Sequence, residues 1–215
     1  MAQLEAVLFD MDGTLVETES LWKQAEYQTM TAYGSTWSEQ EQEDALGGPF
    51  DQVVEYMARK ADADADQIAA TLIDTIDELM RSQVLEVQPG IAELHAQVTT
   101  AGIPTGLVTN SFRRLIDIVL DSSFLSFDVT IAGDELPENK PHPMPYLVAC
   151  EILGVHPSAT VVLEDSSTGI ASAAAAGCFV VAIPHLAVIN EAQRQLIVPS
   201  ATDLDLDVLR ALIAD

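Results

Sequence analysis

Positive charge is what this 215-residue chain has least of: nine lysines and arginines face 34 aspartates and glutamates, for a formal net charge of −25. Only Lys23, Lys60 and Lys140 are lysines. A surface of that sign repels nucleic acid and anionic membranes, so neither is an expected partner. It also repels small anions, so any anion site must draw positive charge from a metal, from Lys140 or from backbone N–H groups. The acids are scattered rather than blocked, which reads as solubility or adaptation to high salt, not as an acidic tail. Cysteine is scarce too. Cys150 and Cys178 lie in apolar surroundings and read as buried free thiols rather than a disulfide. No apolar run approaches the roughly 18 residues that a membrane span needs. The N-terminus shows neither a basic region nor a signal-peptide core, so a cytoplasmic location is expected. What is present, 48% hydrophobic and 20% charged residues, reads as a soluble globular protein: one domain with an insertion, or two small domains.

The stretch Val7-Leu8-Phe9-Asp10-Met11-Asp12-Gly13-Thr14 organises the rest. Its apolar run is short enough for a buried strand. The run stops on two carboxylates one residue apart, and Gly13-Thr14 breaks it. Side chains at i and i+2 of an extended segment share a face. Asp10 and Asp12 can therefore both reach a crevice at the strand's carboxyl end, where open α/β sheets bind ligands. Ionising two neighbouring carboxylates calls for a cation or a proton between them. The pair suits a hard metal bound by oxygens, with one carboxylate left for covalent or acid–base work. The same eight residues also fit a loop pair that caps a helix.

Residues 16–86 carry helical patterns and no strand: near 20–33, 38–46, 50–61 and 65–82. The last shows Ile68, Leu72, Ile73, Ile76, Leu79 and Met80 at a 3.6-residue period. Pro89-Gly90 marks a boundary. Helix and strand then alternate. Strands are expected at 103–108, 129–132, 160–163 and 179–183, and helices at 91–101, 113–122, 145–153, 166–176, 187–195 and 205–213. Such alternation means a parallel sheet with helices on both faces. The domains expected are an α/β core, 1–15 with 87–215, and a helical insertion, 16–86.

Four strands lead into chemically distinct residues: Asp10 and Asp12; Thr109, Asn110 and Ser111; Lys140 in the loop after the third; Glu164 and Asp165. In a parallel sheet these ends share one edge. Singly each has an ordinary explanation as a strand-end residue, a solvated loop lysine or a helix-start charge pair. Together they supply carboxylates for a divalent cation, a cation and a hydroxyl for phosphate oxygens, and a spare carboxylate. Phosphoryl transfer needs such parts, because its catalysis is mostly positioning and charge neutralisation.

In order and spacing, Asp10-Met11-Asp12-Gly13-Thr14, Thr109-Asn110-Ser111, Lys140-Pro141 and Glu164-Asp165-Ser166-Ser167-Thr168-Gly169 resemble the four motifs of the haloacid dehalogenase superfamily. The helical insertion resembles the cap of its β-phosphoglucomutase-like phosphatase branch. The resemblance implies a Rossmann-like parallel sheet core with helices on both faces and an all-helical cap inserted after the first strand. It implies Asp10 as nucleophile and Asp12 as general acid and base. Mg²⁺ would be held by Asp10, the Asp12 backbone carbonyl and Asp165, with Glu164 at or near the ion. Phosphate oxygens would be met by Thr109 and the loop of Gly13, Asn110 and Ser111, with Lys140 offsetting charge. The implied activity is Mg²⁺-dependent hydrolysis of a small phosphorylated metabolite through an aspartyl-phosphate, by a monomer or weak dimer. Glu17, Trp22, Gly47, Gly48 and Phe50 are candidates for substrate selection by position, though Trp22 and Phe50 equally suit the helical core. Cap movement about hinges near Val16 and Val87 would exclude water.

A sugar-phosphate mutase is the alternative. The resemblance places its cap His at Trp22 and its cap Arg at Phe50, and residues 61–80 contain no Lys or Arg. A phosphonate hydrolase would need a Schiff-base lysine, for which only Lys23 and Lys60 are available in the insertion. A receiver-type signalling domain would phosphorylate an Asp on the third strand, which here ends in Gly133-Asp134. One departure from the family pattern is Met144, where many relatives carry Asp; loss of a helix-start acceptor is expected there. His142 reads as a loop histidine.

Overall fold

Apolar runs too short for helices build the strands. In the computed structural model, which describes residues 3–45, 50–184 and 189–214, they are β1 (Ala6–Phe9), β2 (Thr105–Val108), β3 (Val129–Ile131), β4 (Thr160–Glu164), β5 (Phe179–Ala182) and β6 (Gln195–Ile197). They form one sheet in the order β3-β2-β1-β4-β5-β6, and every neighbouring pair is parallel. Every residue of β1, β2 and β4 is buried, as expected of a sheet covered on both faces.

The helices are α1 (Glu19–Ala32), α2 (Glu39–Ala45), α3 (Phe50–Ala61), α4 (Ala65–Ser82), α5 (Ile91–Thr100), α6 (Arg113–Ser123), α7 (Met144–Leu153), α8 (Ser167–Ala175) and α9 (Leu206–Ala214). The chain divides into two compact units, Met1–Glu17 with Glu86–Asp215, and Thr18–Leu85. The first holds the whole sheet. On one face Leu8, Val108, Val162 and Val180 pack with Tyr146, Ala149 and Cys150 of α7 and Ala173 of α8. Burying each of the larger side chains contributes about 1.5–3 kcal/mol. Cys150 and Cys178 are buried free thiols.

The second unit is helical. Its longest helix, α4, starts where the Asp64 side chain accepts the Gln67 N–H, and it buries Ile68, Leu72, Ile76, Leu79 and Met80. No helix among the described residues is long and apolar enough to cross a membrane.

One expected element is absent. The helix expected at 187–195 is not formed over its described residues 189–195. Arg194 takes a left-handed backbone, φ 55°, which a helix excludes. Its carbonyl accepts the Val180 N–H, and Val198 N–H donates to the Ala182 carbonyl. The polar groups along β5 are thus paired by a further strand, β6, and that pairing outweighs local helical preference.

Candidate active site

The winding of the sheet locates the site. The chain runs from β1 outward through β2 and β3, then returns to lay β4 on the other side of β1. The crevice beyond the carboxyl ends at such a reversal is the ligand position in open α/β sheets. Register brings the ends level: Phe9 lies opposite both Leu107 and Leu163, and Asp10 N–H donates to the Leu163 carbonyl at 3.0 Å. Residues from Asp10 to Asp165 thereby converge on one edge.

Lys140 is the hub. Its Nζ donates to Asp10 Oδ1 and to Glu164 Oε1, each at 2.6 Å. All three side chains are buried. Carboxylate oxygens of Asp10, Glu164 and Asp165 lie within 4.8 Å of one another. Clustered hard oxygen donors fit a divalent cation such as Mg²⁺, and that much negative charge in a buried place asks for one. Burial drives the Asp10 carboxyl well above its usual pKa; Glu164 adds to the rise and Lys140 opposes it. Burial also works against the Lys140 ammonium, but Asp10 and Glu164 together outweigh it and hold its pKa above the ordinary lysine value.

Asp12 belongs to the same edge. Its Oδ2 accepts from Ser111 Oγ at 2.7 Å and from Thr109 Oγ1 at 3.1 Å. The Thr109 hydroxyl, expected on phosphate oxygens, and the Ser111 hydroxyl both hold the neighbouring carboxylate. Asn110, expected at phosphate through its loop N–H, has its side chain on Lys140. It donates to the Lys140 carbonyl at 3.1 Å and accepts the Lys140 N–H at 3.0 Å. A two-point clamp on the lysine backbone is the role its side chain plays here.

Gly13 explains why the first motif needs glycine. Its φ is +84°, and a Cβ there would stand 2.3 Å from Asp165 Oδ2. The backbone turn and the acidic cluster occupy the same space. Thr14 Oγ1 donates to Asp165 Oδ1 at 3.3 Å. The helix-start acceptor lost at Met144 is supplied by another residue: Met144 N–H donates to His142 Nδ1 at 3.2 Å. His142 is a structural loop residue in this sense. Its carbonyl also accepts from Ser172 Oγ at 2.6 Å.

Tyr146 escaped the sequence reading. Its hydroxyl donates to Glu164 Oε1 at 2.7 Å, and its ring centroid lies 5.1 Å from Lys140 Nζ. An isolated tyrosine in an apolar helical run carries no signal beyond packing. Of the selection candidates, Trp22 and Phe50 stack edge-on at 6.5 Å within the helical unit. Glu17 sits at the unit boundary, its N–H donating to the Glu86 carbonyl. Gly47 and Gly48 lie outside the described residues.

A doubly wound parallel sheet with a strand-end aspartate, a buried lysine on it and a cluster of acids beside it defines an α/β enzyme scaffold whose strand-end acids could hold a cation. The chain belongs to the haloacid dehalogenase-like hydrolases, matching that family over residues 7–183. Protein CbbY of Rhodobacter capsulatus is 33% identical over 195 residues, 85% of this chain and 86% of that protein. Hexitol phosphatase B of Escherichia coli (strain K12) is 33% identical over 192 residues, 85% of this chain and 84% of that one. Among solved structures, a mutant of CbbY from Rhodobacter sphaeroides in complex with xylulose-(1,5)bisphosphate matches with a TM-score of 0.85 at 30% identity, covering 96% of this chain and 99% of that chain.

Proposed function

We propose that this hydrolase is a Mg²⁺-dependent phosphatase acting on a small sugar or sugar-alcohol phosphomonoester through an aspartyl-phosphate. The observation that carries the reading is the Lys140 bridge, which puts a buried ammonium on Asp10 beside Glu164 and Asp165. The names of the relatives, a hexitol phosphatase and a CbbY that binds a sugar bisphosphate, support the substrate class.

In this reading an Asp10 carboxylate oxygen attacks phosphorus. The bond from phosphorus to the ester oxygen breaks, and Asp12 gives that oxygen a proton as it leaves. Asp12 then takes a proton from water, whose oxygen attacks the phosphorus of the acyl-phosphate. Inorganic phosphate departs and Asp10 is regenerated. Lys140 stays charged throughout and offsets the negative charge gathered on Asp10 and the phosphoryl oxygens. Thr109 and Ser111 hold Asp12 over the reacting centre. Mg²⁺, held by the carboxylates of Asp10 and Asp165 with the Asp12 backbone carbonyl, would supply further charge neutralisation. We take the unit Thr18–Leu85 to be the cap domain of this family branch.

Hydrolysis is preferred to a mutase because a mutase must grip a second phosphate. Of the four lysines and arginines in the helical unit, Arg59, Lys60 and Arg81 sit on carboxylates of the same unit, Glu55, Glu41 and Asp77, which leaves Lys23 as the fourth. The test is turnover of p-nitrophenyl phosphate and a panel of pentose, hexose and hexitol phosphates with Mg²⁺. Asp10→Asn is expected to lower kcat by about a thousandfold or more. A variant as active as the wild type would remove Asp10 as the nucleophile.

A further inference from the structure

We propose that Cys150 and Cys178 are a redox-modification site: a small uncharged peroxide oxidises Cys150, and Cys178 then closes a disulfide that staples α7 to the start of β5. The sheet register brings the two sulfurs together. Val161 of β4 lies opposite Phe179 of β5. Thr160 and Cys178, each one residue earlier, are the next pair, on strands about 4.8 Å apart. Their side chains share a face, the one on which Cys178 and Val180 pack with Ala149 and Cys150. Cys150 reaches the same spot from α7. Its Sγ donates to Thr160 Oγ1 at 3.7 Å, and Thr160 Oγ1 donates on to the His156 carbonyl at 3.0 Å. The Cys150 and Cys178 thiols are hydrogen-bonded to each other as well. Sulfurs in such contact close a disulfide with little backbone movement.

The pair is asymmetric. The Cys178 hydrogen bond pulls the Cys150 thiol below its ordinary pKa, against burial. The same bond, with burial, pushes Cys178 up. Cys150 therefore ionises first, and its thiolate is the nucleophile. That sulfur attacks one peroxide oxygen, the O–O bond breaks, and Cys150 becomes a sulfenic acid. The departing hydroxide takes up the proton that Cys150 lost and leaves as water. The Cys178 sulfur then attacks the Cys150 sulfur. The S–O bond breaks, and the second hydroxide leaves as water with the Cys178 proton. Two thiols and one hydrogen peroxide thus give one disulfide and two waters, with two electrons passing from sulfur to peroxide.

Place and charge select the oxidant. The cysteines are only 1% and 2% exposed, but they lie at shallow depth. Exposed Gly177 directly precedes Cys178, and exposed Gly154 ends α7 one turn beyond Cys150. Local opening at these helix ends admits a small molecule. The charge of −25 repels an anionic oxidant such as oxidised glutathione, whereas hydrogen peroxide carries no charge. Thr160 starts the strand that Glu164 ends. The disulfide therefore forms about 13 Å along the sheet from the acidic cluster, and no residue of that cluster takes part.

The test treats the full chain with hydrogen peroxide and digests it without reductant. Mass spectrometry should find a Cys150–Cys178 cross-link within one chain, removed by dithiothreitol. The oxidised protein should melt about 5 °C or more above the reduced one, because the cross-link restricts the unfolded chain. Cys178→Ala should leave a sulfenic acid on Cys150 that dimedone captures, and Cys150→Ala should leave Cys178 unlabelled. Oxidised glutathione at matched oxidising equivalents should close the bond at least about tenfold more slowly. Thiols that stay free under peroxide, cross-links only between chains, or dimedone on Cys178 of Cys150→Ala would overturn the site. An unchanged melting point would overturn the staple, and equal rates with glutathione the choice of oxidant. Should either variant fail to fold, the wild-type cross-link and melt decide the proposal by themselves.

Discussion

Gly13 is where backbone conformation and site chemistry meet in one residue. Its left-handed φ of +84° disfavours any side chain, by roughly 1–2 kcal/mol for an L-residue. The larger effect is spatial, because a Cβ would stand 2.3 Å from Asp165 Oδ2. Something must move, and the carboxylate is the softer party. Gly13→Ala is therefore expected to fold with a modest loss of thermal stability but to bind Mg²⁺ at least about tenfold more weakly, since a displaced oxygen ligand loses its geometry. Calorimetric Mg²⁺ titration beside a thermal melt checks this; wild-type affinity would show that Asp165 yields without consequence. Sequence alone shows that Gly13 permits a turn. That the turn and Asp165 compete for one volume depends on residues 152 positions apart in the chain, which only the folded sheet brings together.

At the scale of elements, α5 docks on the sheet through an aromatic cluster. The His95 ring lies 5.9 Å from Phe9 of β1 and 4.9 Å from Phe127, and Nε2 is 2.9 Å from the Ser126 carbonyl. A carbonyl only accepts, so Nε2 carries a proton. Burial lowers the imidazole pKa from its ordinary 6.5, with the Ser126 carbonyl opposing. The sign follows: the unfolded chain takes up a second ring proton at a higher pH than the folded one. Stability is therefore fully present above 6.5 and is lost as pH falls from there through the depressed value. Urea unfolding at pH 7.5 and 5.5 should show a loss in the wild type that is smaller in His95→Gln; equal losses would place the sensitivity elsewhere. Elements like α5, long and periodic, were readable from sequence, as were the short apolar strands that end in acids. The edge strand β6 was not. It is three residues long and half-buried, and it follows a segment with fair helical preference. Only the neighbouring β5 makes it a strand. Tyr146 was hidden for the same reason: its period marks it as core, and its hydroxyl meets a partner only because the fold brings α7 beside Glu164 at the end of β4.

Across the whole molecule the charge of −25 sets how a phosphorylated substrate arrives. Lys140 does little to attract it from a distance, because it is buried and its charge is absorbed by Asp10 and Glu164. Asp12 and Asp165 add two more acids to the same edge. An approaching phosphate dianion therefore meets a repulsive field until it is close to Lys140 and to any cation the acids hold. Screening should relieve this. Raising NaCl from about 0.01 M to about 0.3 M shortens the Debye length from about 30 Å to well under 10 Å. With Mg²⁺ saturating, kcat/KM for a phosphomonoester is expected to rise several-fold over that range while kcat stays nearly constant, since encounter changes and chemistry does not. The usual enzyme for an anionic substrate focuses positive field at its mouth and slows with salt. A kcat/KM that fell with salt would mean that positive potential from the cation and Lys140 reaches past the acidic surface. A rise, matched by higher thermal stability as self-repulsion is screened, would mean that this enzyme admits its substrate against its own field.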